Sequence, residues 1–128
     1  MSQRESNINR TLALYQALKQ RDTAQIDALL VEEPVWDVAP GTPNGKVMVG
    51  KQAIFGEFYP SILALYHTFT AKIEHVVGDD DNVVVTGNYL FQREESSETE
   101  AARFCHHWTF DDKGKIEGVW QVADSKCL

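Results

Sequence analysis

Apolar residues recur at helical spacing over the first half of the chain and at alternate positions over the second, so a change of period divides it into a helical and a strand-forming part. Residues 5–20 place Ile8, Thr11, Leu12, Tyr15 and Leu18 on one face, behind a Ser2-x-x-Glu5 capping box. Asp22-x-x-Gln25 repeats that signal for a second helix, which carries Ile26, Leu29 and Leu30 and is closed by Glu32, Glu33 and Pro34. Residues 35–38 read as a short strand with Trp36 and Val38 on one face and Asp37 on the other. The run from Ala39 to Gly50 holds two prolines and three glycines and predicts a loop long enough to form a rim or lid. A third helix is expected from about Lys51 to Tyr66, with Ile54, Phe55, Phe58, Ile62 and Leu65 at helical spacing. Pro60, which lacks a backbone donor, should kink or interrupt it and turn Tyr59 away from the residues that follow.

From His67 onward the period is two. Strands are expected over residues 69–77, 83–93, 101–110 and 115–124, joined by turns at 78–82 and 111–114 and an acidic tip at 94–100. The second of these strands carries Val83, Val85, Gly87, Tyr89 and Phe91 on one side. In the third, Ala102, Phe104, His106, Trp108 and Phe110 share a face, while Arg103, Cys105, His107 and Thr109 share the other. Strict alternation in the last puts Ile116, Gly118, Trp120, Val122 and Asp124 together. The order of elements predicts an α+β domain, three N-terminal helices packed on a curved, mostly antiparallel sheet.

Composition narrows the classes. The 128 residues fit one domain, and a chain of this length buries roughly two thirds of its unfolded surface, so it needs no disulfide or metal staple. A net charge of -7 with scattered Lys and Arg argues against a nucleic-acid partner. Such a surface also offers nothing to acidic substrates, although a local pocket can differ in sign from the whole. The N-terminus lacks the pattern of a secretory signal and no run approaches a membrane span, so the expected location is cytoplasmic with no membrane partner. Cys105 and Cys127 are too few for a disulfide framework.

The sequence has no P-loop, dinucleotide fingerprint, nucleophile elbow or paired-cysteine metal site, and no cofactor is expected. His106 and His107 are adjacent on a strand, so their rings point to opposite faces and cannot chelate one metal ion together. What remains is His106, a titratable group in an apolar row. Burial favours its neutral form, whereas a nearby carboxylate favours the charged one. Asp124 is the candidate carboxylate, although pairing about the turn at 111–114 sets His106 opposite a residue near 119.

Several stretches in order resemble a known family: Leu14-Tyr-Gln-Ala-Leu-Lys-Gln-Arg-Asp22, Val35-Trp-Asp-Val-Ala-Pro-Gly41, Gly45, Gly50-Lys-Gln-Ala-Ile-Phe-Gly-Glu-Phe-Tyr59, His107-Trp-Thr-Phe-Asp-Asp-Lys-Gly-Lys-Ile116 and Asp124. They are similar to the SnoaL-like polyketide cyclase and ketosteroid isomerase branch of the nuclear transport factor 2-like superfamily. The resemblance implies a cone-shaped α+β barrel, a deep pocket between helices and sheet, and a homodimer through the sheet's outer face. Isomerases of this kind use a first-helix tyrosine, a first-strand aspartate base and a protonated aspartate in the oxyanion hole. Aligned by motif, the chain has Leu14, Val38 and His106 at those places, with Asp37 one residue off, so steroid isomerisation is not expected. Tyr59 coincides with a pocket tyrosine of the isomerases, and Asp124 falls near a strand-end acid/base of the cyclases.

Two functions follow as expectations. In one, His106 and Asp124 move a proton on a small apolar organic ligand in a cofactor-free isomerisation, dehydration or ring closure, within a pocket walled by Trp36, Val38, Phe55, Tyr59, Trp108 and Trp120. In the other, the chain is a non-catalytic ligand-binding or dimeric assembly module, its aromatic cup obliged to no chemistry. Val119, Gln121 and Ala123 are the expected dimer contact.

Overall fold

The computed structural model describes residues 2–128. Helix α1 (Gln3–Gln20) starts at Ser2, whose hydroxyl accepts from the Glu5 amide, and ends at Arg21 in the left-handed region with φ 55°. Helix α2 (Thr23–Leu29) is capped by Asp22, which accepts from the Gln25 amide. Both N-terminal signals in the sequence thus satisfy backbone donors that a helix leaves open. The chain then extends directly into β1 (Leu30–Val38), longer than expected because Pro34 lies within the strand and not before it. Proline has no donor for a ladder, and the pairing of β1 with its neighbour shifts register between Leu30 and Val35, around that residue.

The expected rim loop contains a short strand, β2 (Val47–Val49), paired antiparallel with β1. The third helix is not continuous to Tyr66. Residues Gln52–Phe58 form a π-helical stretch in which the Tyr59 amide reaches back to the Ile54 carbonyl, and a single α-helical turn, α3 (Tyr59–Leu63), follows. The widened turns precede Pro60, whose ring would clash with a carbonyl four residues back in a regular α-helix. Leu65, expected on the packing face, lies beyond the helix and is exposed.

Strands β3 (Thr68–Gly78), β4 (Asn82–Gln92), β5 (Glu100–Phe110) and β6 (Ile116–Ala123) form the meander. The sheet order is β2-β1-β6-β5-β4-β3, antiparallel except where β1 runs parallel to β6. The six strands do not close on themselves, so the barrel implied by the resemblance is an open curved sheet whose concave face the helices cover. One bulge in β3 between Ile73 and His75 adds to the bend. The N-terminus of α1 is pinned to the β3–β4 turn by Arg4 Nε on the Gly78 carbonyl at 3.0 Å and Asn7 Nδ2 on the Asp80 carbonyl at 2.9 Å.

A second bulge decides which residues face inward. Phe110 pairs with Ile116 but Thr109 pairs with Gly118, leaving Glu117 as the extra residue. Beyond it Val119, Gln121 and Ala123 share the face of Trp108, His106 and Phe104, opposite which they lie. Strict alternation from Ile116 therefore fails, and the expected dimer-contact residues lie on the concave face.

No helix of the described residues is long and apolar enough to cross a membrane. Gly87, on β4 beside the β3 bulge, has no room for a side chain, since a Cβ there would sit 2.1 Å from the Lys72 carbonyl oxygen. Gly87→Ala is expected to cost about 1–3 kcal/mol through forced backbone movement, read as a lower urea midpoint with an unchanged slope.

Candidate functional site

Between the concave face and the helices lies a cavity of about 970 Å³. Its wall is largely aliphatic and aromatic, drawn from α1, α2, the π-helical stretch, α3 and the inner faces of β3 to β6. Trp36 and Trp108 meet edge to face at 5.5 Å behind it, and Trp36 meets Phe55 in the same manner at 5.7 Å. Contacts of this kind add about 0.5–1.5 kcal/mol each beyond area burial and hold the wall rigid.

His106 stands at the centre of the polar part of that wall. Its residue is 5% exposed, with the ring stacked on Phe104 at 4.1 Å between centroids. Nδ1 lies 2.5 Å from the Tyr15 hydroxyl and Nε2 lies 2.6 Å from the Tyr89 hydroxyl. Trp108 Nε1 donates to the Tyr15 oxygen at 2.9 Å, and the Tyr89 hydroxyl donates to Gln121 Oε1 at 3.2 Å. An indole nitrogen only donates, so the polarity of the chain can be assigned from its ends. Trp108 N–H donates to Tyr15, Tyr15 O–H to Nδ1, Nε2–H to Tyr89, and Tyr89 O–H to Gln121. This assignment makes His106 the neutral Nε2–H tautomer and satisfies every member.

Burial pushes the His106 pKa down from 6.5 to about 3. Burial likewise raises the phenols of Tyr15 and Tyr89, the latter strongly, although the Trp108 hydrogen bond opposes the rise at Tyr15. The network is therefore uncharged at neutral pH. Tyr59 belongs to a separate pair: Trp36 Nε1 donates to its oxygen at 3.2 Å, and burial again raises its pKa. Its own proton has no acceptor among the described residues, and Tyr59 is one of the residues that line the cavity.

The structure brings His106, Val38, Phe55, Tyr59 and Trp108 onto the cavity wall and sets Trp36 directly behind Tyr59. Trp120 is elsewhere. It is 51% exposed on the convex face, opposite Asp37 and His107, because the Glu117 bulge reverses the alternation. Asp124 is also outside the cavity. It follows β6, its amide bonds to the Arg103 carbonyl at 2.8 Å, and its carboxylate accepts from Cys127 Sγ at 3.2 Å. His106 pairs across the hairpin with Gln121, so no carboxylate couples to it. His107 faces outward and bonds Asn82 Oδ1 at 2.8 Å. No group of three or more His, Cys, Asp or Glu side chains among the described residues is placed to hold a metal ion.

The sequence does not mark Tyr89 or Gln121 as site residues, and it leaves Tyr15 between a core tyrosine and one that turns its hydroxyl into a cavity. Tyr15 is one position after Leu14, the residue that motif alignment sets against the isomerase tyrosine; Leu14 is fully buried in the core while Tyr15 supplies a hydroxyl to the cavity wall. Tyr89 was legible as an inward residue of β4, but nothing along the chain joined it to His106.

Fold and site define an α+β cone whose helices and sheet enclose a largely apolar cavity with neutral hydrogen-bonding groups in its interior. The chain belongs to the SnoaL-like domain family, whose model matches residues 11–119, and it shares the fold of nuclear transport factor 2-like proteins. An NTF2-like protein of unknown function from Burkholderia pseudomallei superposes with a TM-score of 0.83 at 18% identity, covering 98% of this chain and 94% of that one. TerC, crystallised with polyporic acid, gives 0.81 at 23% identity over 94% and 93% of the two chains. IdmH, a candidate polyketide cyclase from Streptomyces antibioticus, gives 0.79 at 15% identity over 95% and 94%. At these identities the likeness is one of fold. No curated protein matches the sequence.

The folded protein keeps His106 neutral down to about pH 3, whereas the unfolded chain protonates it near 6.5. Between these values the unfolded state binds the extra proton, so this contribution to stability is intact above about pH 6.5 and declines as the pH falls toward 3. The slope attributable to His106 is at most about 1.4 kcal/mol per pH unit. His106→Phe should be less stable than wild type at pH 7, because Tyr15 and Tyr89 lose their partner, yet lose less stability between pH 7 and pH 5. Urea unfolding at the two pH values measures both effects, and equal pH slopes would contradict the assignment.

Proposed function

We propose that the cavity takes up a small, largely apolar organic molecule bearing oxygen, and that the Tyr15–His106–Tyr89 chain moves a proton on it without a cofactor. The observation that carries this reading is the polarity of that chain. Each hydroxyl and the imidazole hold one proton to give and one lone pair to receive it. A proton from the ligand passes to the Tyr15 oxygen, the Tyr15 proton to Nδ1, the Nε2 proton to the Tyr89 oxygen, and the Tyr89 proton back to a second ligand atom that displaces Gln121. The bound molecule has then exchanged a proton at one atom for a proton at another, which is an isomerisation, and the same transfer serves a dehydration or a ring closure.

Stepwise acid/base catalysis wants a group whose pKa lies near the working pH. His106 is far from that range, but in the concerted relay no imidazolium forms and the low basicity is no obstacle. The imidazole ends as the Nδ1–H tautomer, and proton exchange with water resets it once the cavity empties. Tyr59, aimed by Trp36, donates its unclaimed proton to an acceptor oxygen of the ligand and holds it in place. Asp124 has no part in this scheme.

The relay is tested with a panel of small enones, β-dicarbonyl compounds and hydroxy ketones followed by proton NMR in deuterated buffer. Tyr15→Phe, Tyr89→Phe and His106→Asn should each reduce turnover of any converted compound by about 100-fold or more. Turnover unchanged in all three would remove the relay from the reaction.

Binding without chemistry is the second reading, favoured by the absence of Asp and Glu side chains from the cavity wall among the described residues. Tryptophan fluorescence separates the two. With exposed Trp120 replaced by Phe, Trp36 and Trp108 report on the cavity, and saturable quenching by compounds recovered unchanged after long incubation supports a receptor.

A second copy of the chain is the proposed partner for the convex face. Val35, Val47, Val49 and Trp120 are exposed there on adjacent strands, a larger apolar surface than scattered residues leave. Trp120→Glu is expected to shift the sedimentation coefficient from dimer to monomer, and a wild-type monomer at working concentration would rule the contact out.

A further inference from the structure

The sign of charge around the cavity is opposite to that of the protein. Asp and Glu outnumber Lys and Arg by 19 to 12 in the chain. Among the described residues, however, the charged side chains that border the cavity are Lys19 and Arg21, and no Asp or Glu side chain borders it. Both lie at the C-terminal end of α1, one turn beyond Tyr15, where the helix delivers them to the mouth while Tyr15 faces the interior. Neither takes part in an ion pair; those of the described residues join Lys51 to Asp27 and Arg93 to Glu100.

The α1 dipole favours a cation in the last turn and accounts for about 0.3–1 kcal/mol of stability at such a site. It does not account for the choice at position 21. Arg21 is the left-handed cap with φ 55°, where glycine or asparagine is less strained than a long side chain. Nor does the dipole account for the absence of Asp and Glu side chains from the wall among the described residues.

We infer that the ligand of this cavity is an organic acid: its apolar body fills the interior and its anionic group, a carboxylate or an acidic enol, stays at the mouth against Lys19 and Arg21. This inference rests on the proposal that the cavity binds a small organic molecule, and it adds the charge of that molecule and its direction of entry. The interior has neutral polar groups, so a charge carried inward would lose hydration with no counterion to replace it. At the mouth the same charge remains hydrated and meets two unpaired cations. The rim also reverses locally a surface potential that would otherwise repel an anion.

The probes are 2-naphthoate and its uncharged counterpart 2-acetylnaphthalene, titrated by tryptophan quenching into Trp120→Phe protein with native or substituted rim. With Lys19 and Arg21 in place, naphthoate is expected to bind about tenfold more tightly than the ketone, the sum of two partly exposed ion pairs. That advantage should shrink on going to about 0.5 M salt and vanish in Lys19→Met/Arg21→Asn, whose ketone affinity should stay the same. Asn is chosen because it tolerates the left-handed cap, and the ketone titration verifies that the cavity itself is intact. Equal affinities for the two probes with the native rim, or a naphthoate advantage that survives the double substitution, overturn the inference while leaving the cavity a binding site. Failure of both probes to quench would overturn this inference together with the proposed binding function.

Discussion

A neutral imidazole buried in an apolar sheet must find one donor and one acceptor within the protein, and His106 finds them on different layers of the fold. Tyr15 comes from helix α1 and Tyr89 from strand β4, while His106 itself is on β5 and Gln121 on β6. A single hydrogen-bonded chain thus fixes how far α1 lies above the sheet and how it is rotated about its axis. Turning the helix by one residue would exchange Tyr15 for Leu14 or Gln16 and leave Nδ1 of the imidazole without its donor, at about 1–3 kcal/mol. The constraint works in both directions. The helices gain a defined seat on the sheet, and the imidazole gains an environment in which it stays uncharged.

The aromatic packing behind the cavity serves the same end. Trp108 and Trp36 each use the ring for the core and the indole N–H for a tyrosine oxygen, Tyr15 in one case and Tyr59 in the other. Each tyrosine is thereby oriented without any charged residue in the interior. Electrostatics around the cavity are left to oriented dipoles inside and to Lys19 and Arg21 at the mouth. Dipoles fixed in this way act on a ligand without having to reorganise, which is what distinguishes such a wall from water.

Much of the architecture was legible because it follows from local rules. Ser2 with Glu5 and Asp22 with Gln25 announce the two helix starts, and alternation in residues 101–110 correctly sets His106 inward beside Trp108. The misreadings have local causes of another kind. Pro34 reads as a terminator, yet a strand tolerates it where the ladder shifts register. Val47–Val49 is too short to stand out from the Pro- and Gly-rich run that contains it. Trp120 and Gln121 exchange faces because Glu117 is inserted between paired positions, and a two-residue period carries no sign of that. Periodicity sets Tyr15 on the apolar face of its helix and Tyr89 on the apolar side of its strand; their meeting at one ring depends on how helix and sheet dock, which periodicity does not encode.

The bulge at Glu117 bears on how a family of this kind diversifies. An extra residue in an antiparallel ladder is absorbed within one or two pairs, so the hairpin survives its gain or loss. Every side chain beyond it nevertheless changes sides. Gain or loss of one codon there turns Gln121 and Ala123 away from the cavity and Trp120 and Asp124 toward it in one event, with no substitution at any of those positions. Cavity volume, the end of the hydrogen-bonded chain and the apolar character of the convex face would all alter at once. Single-residue length changes in this hairpin are thus a route to new specificity that identity between aligned sequences does not register.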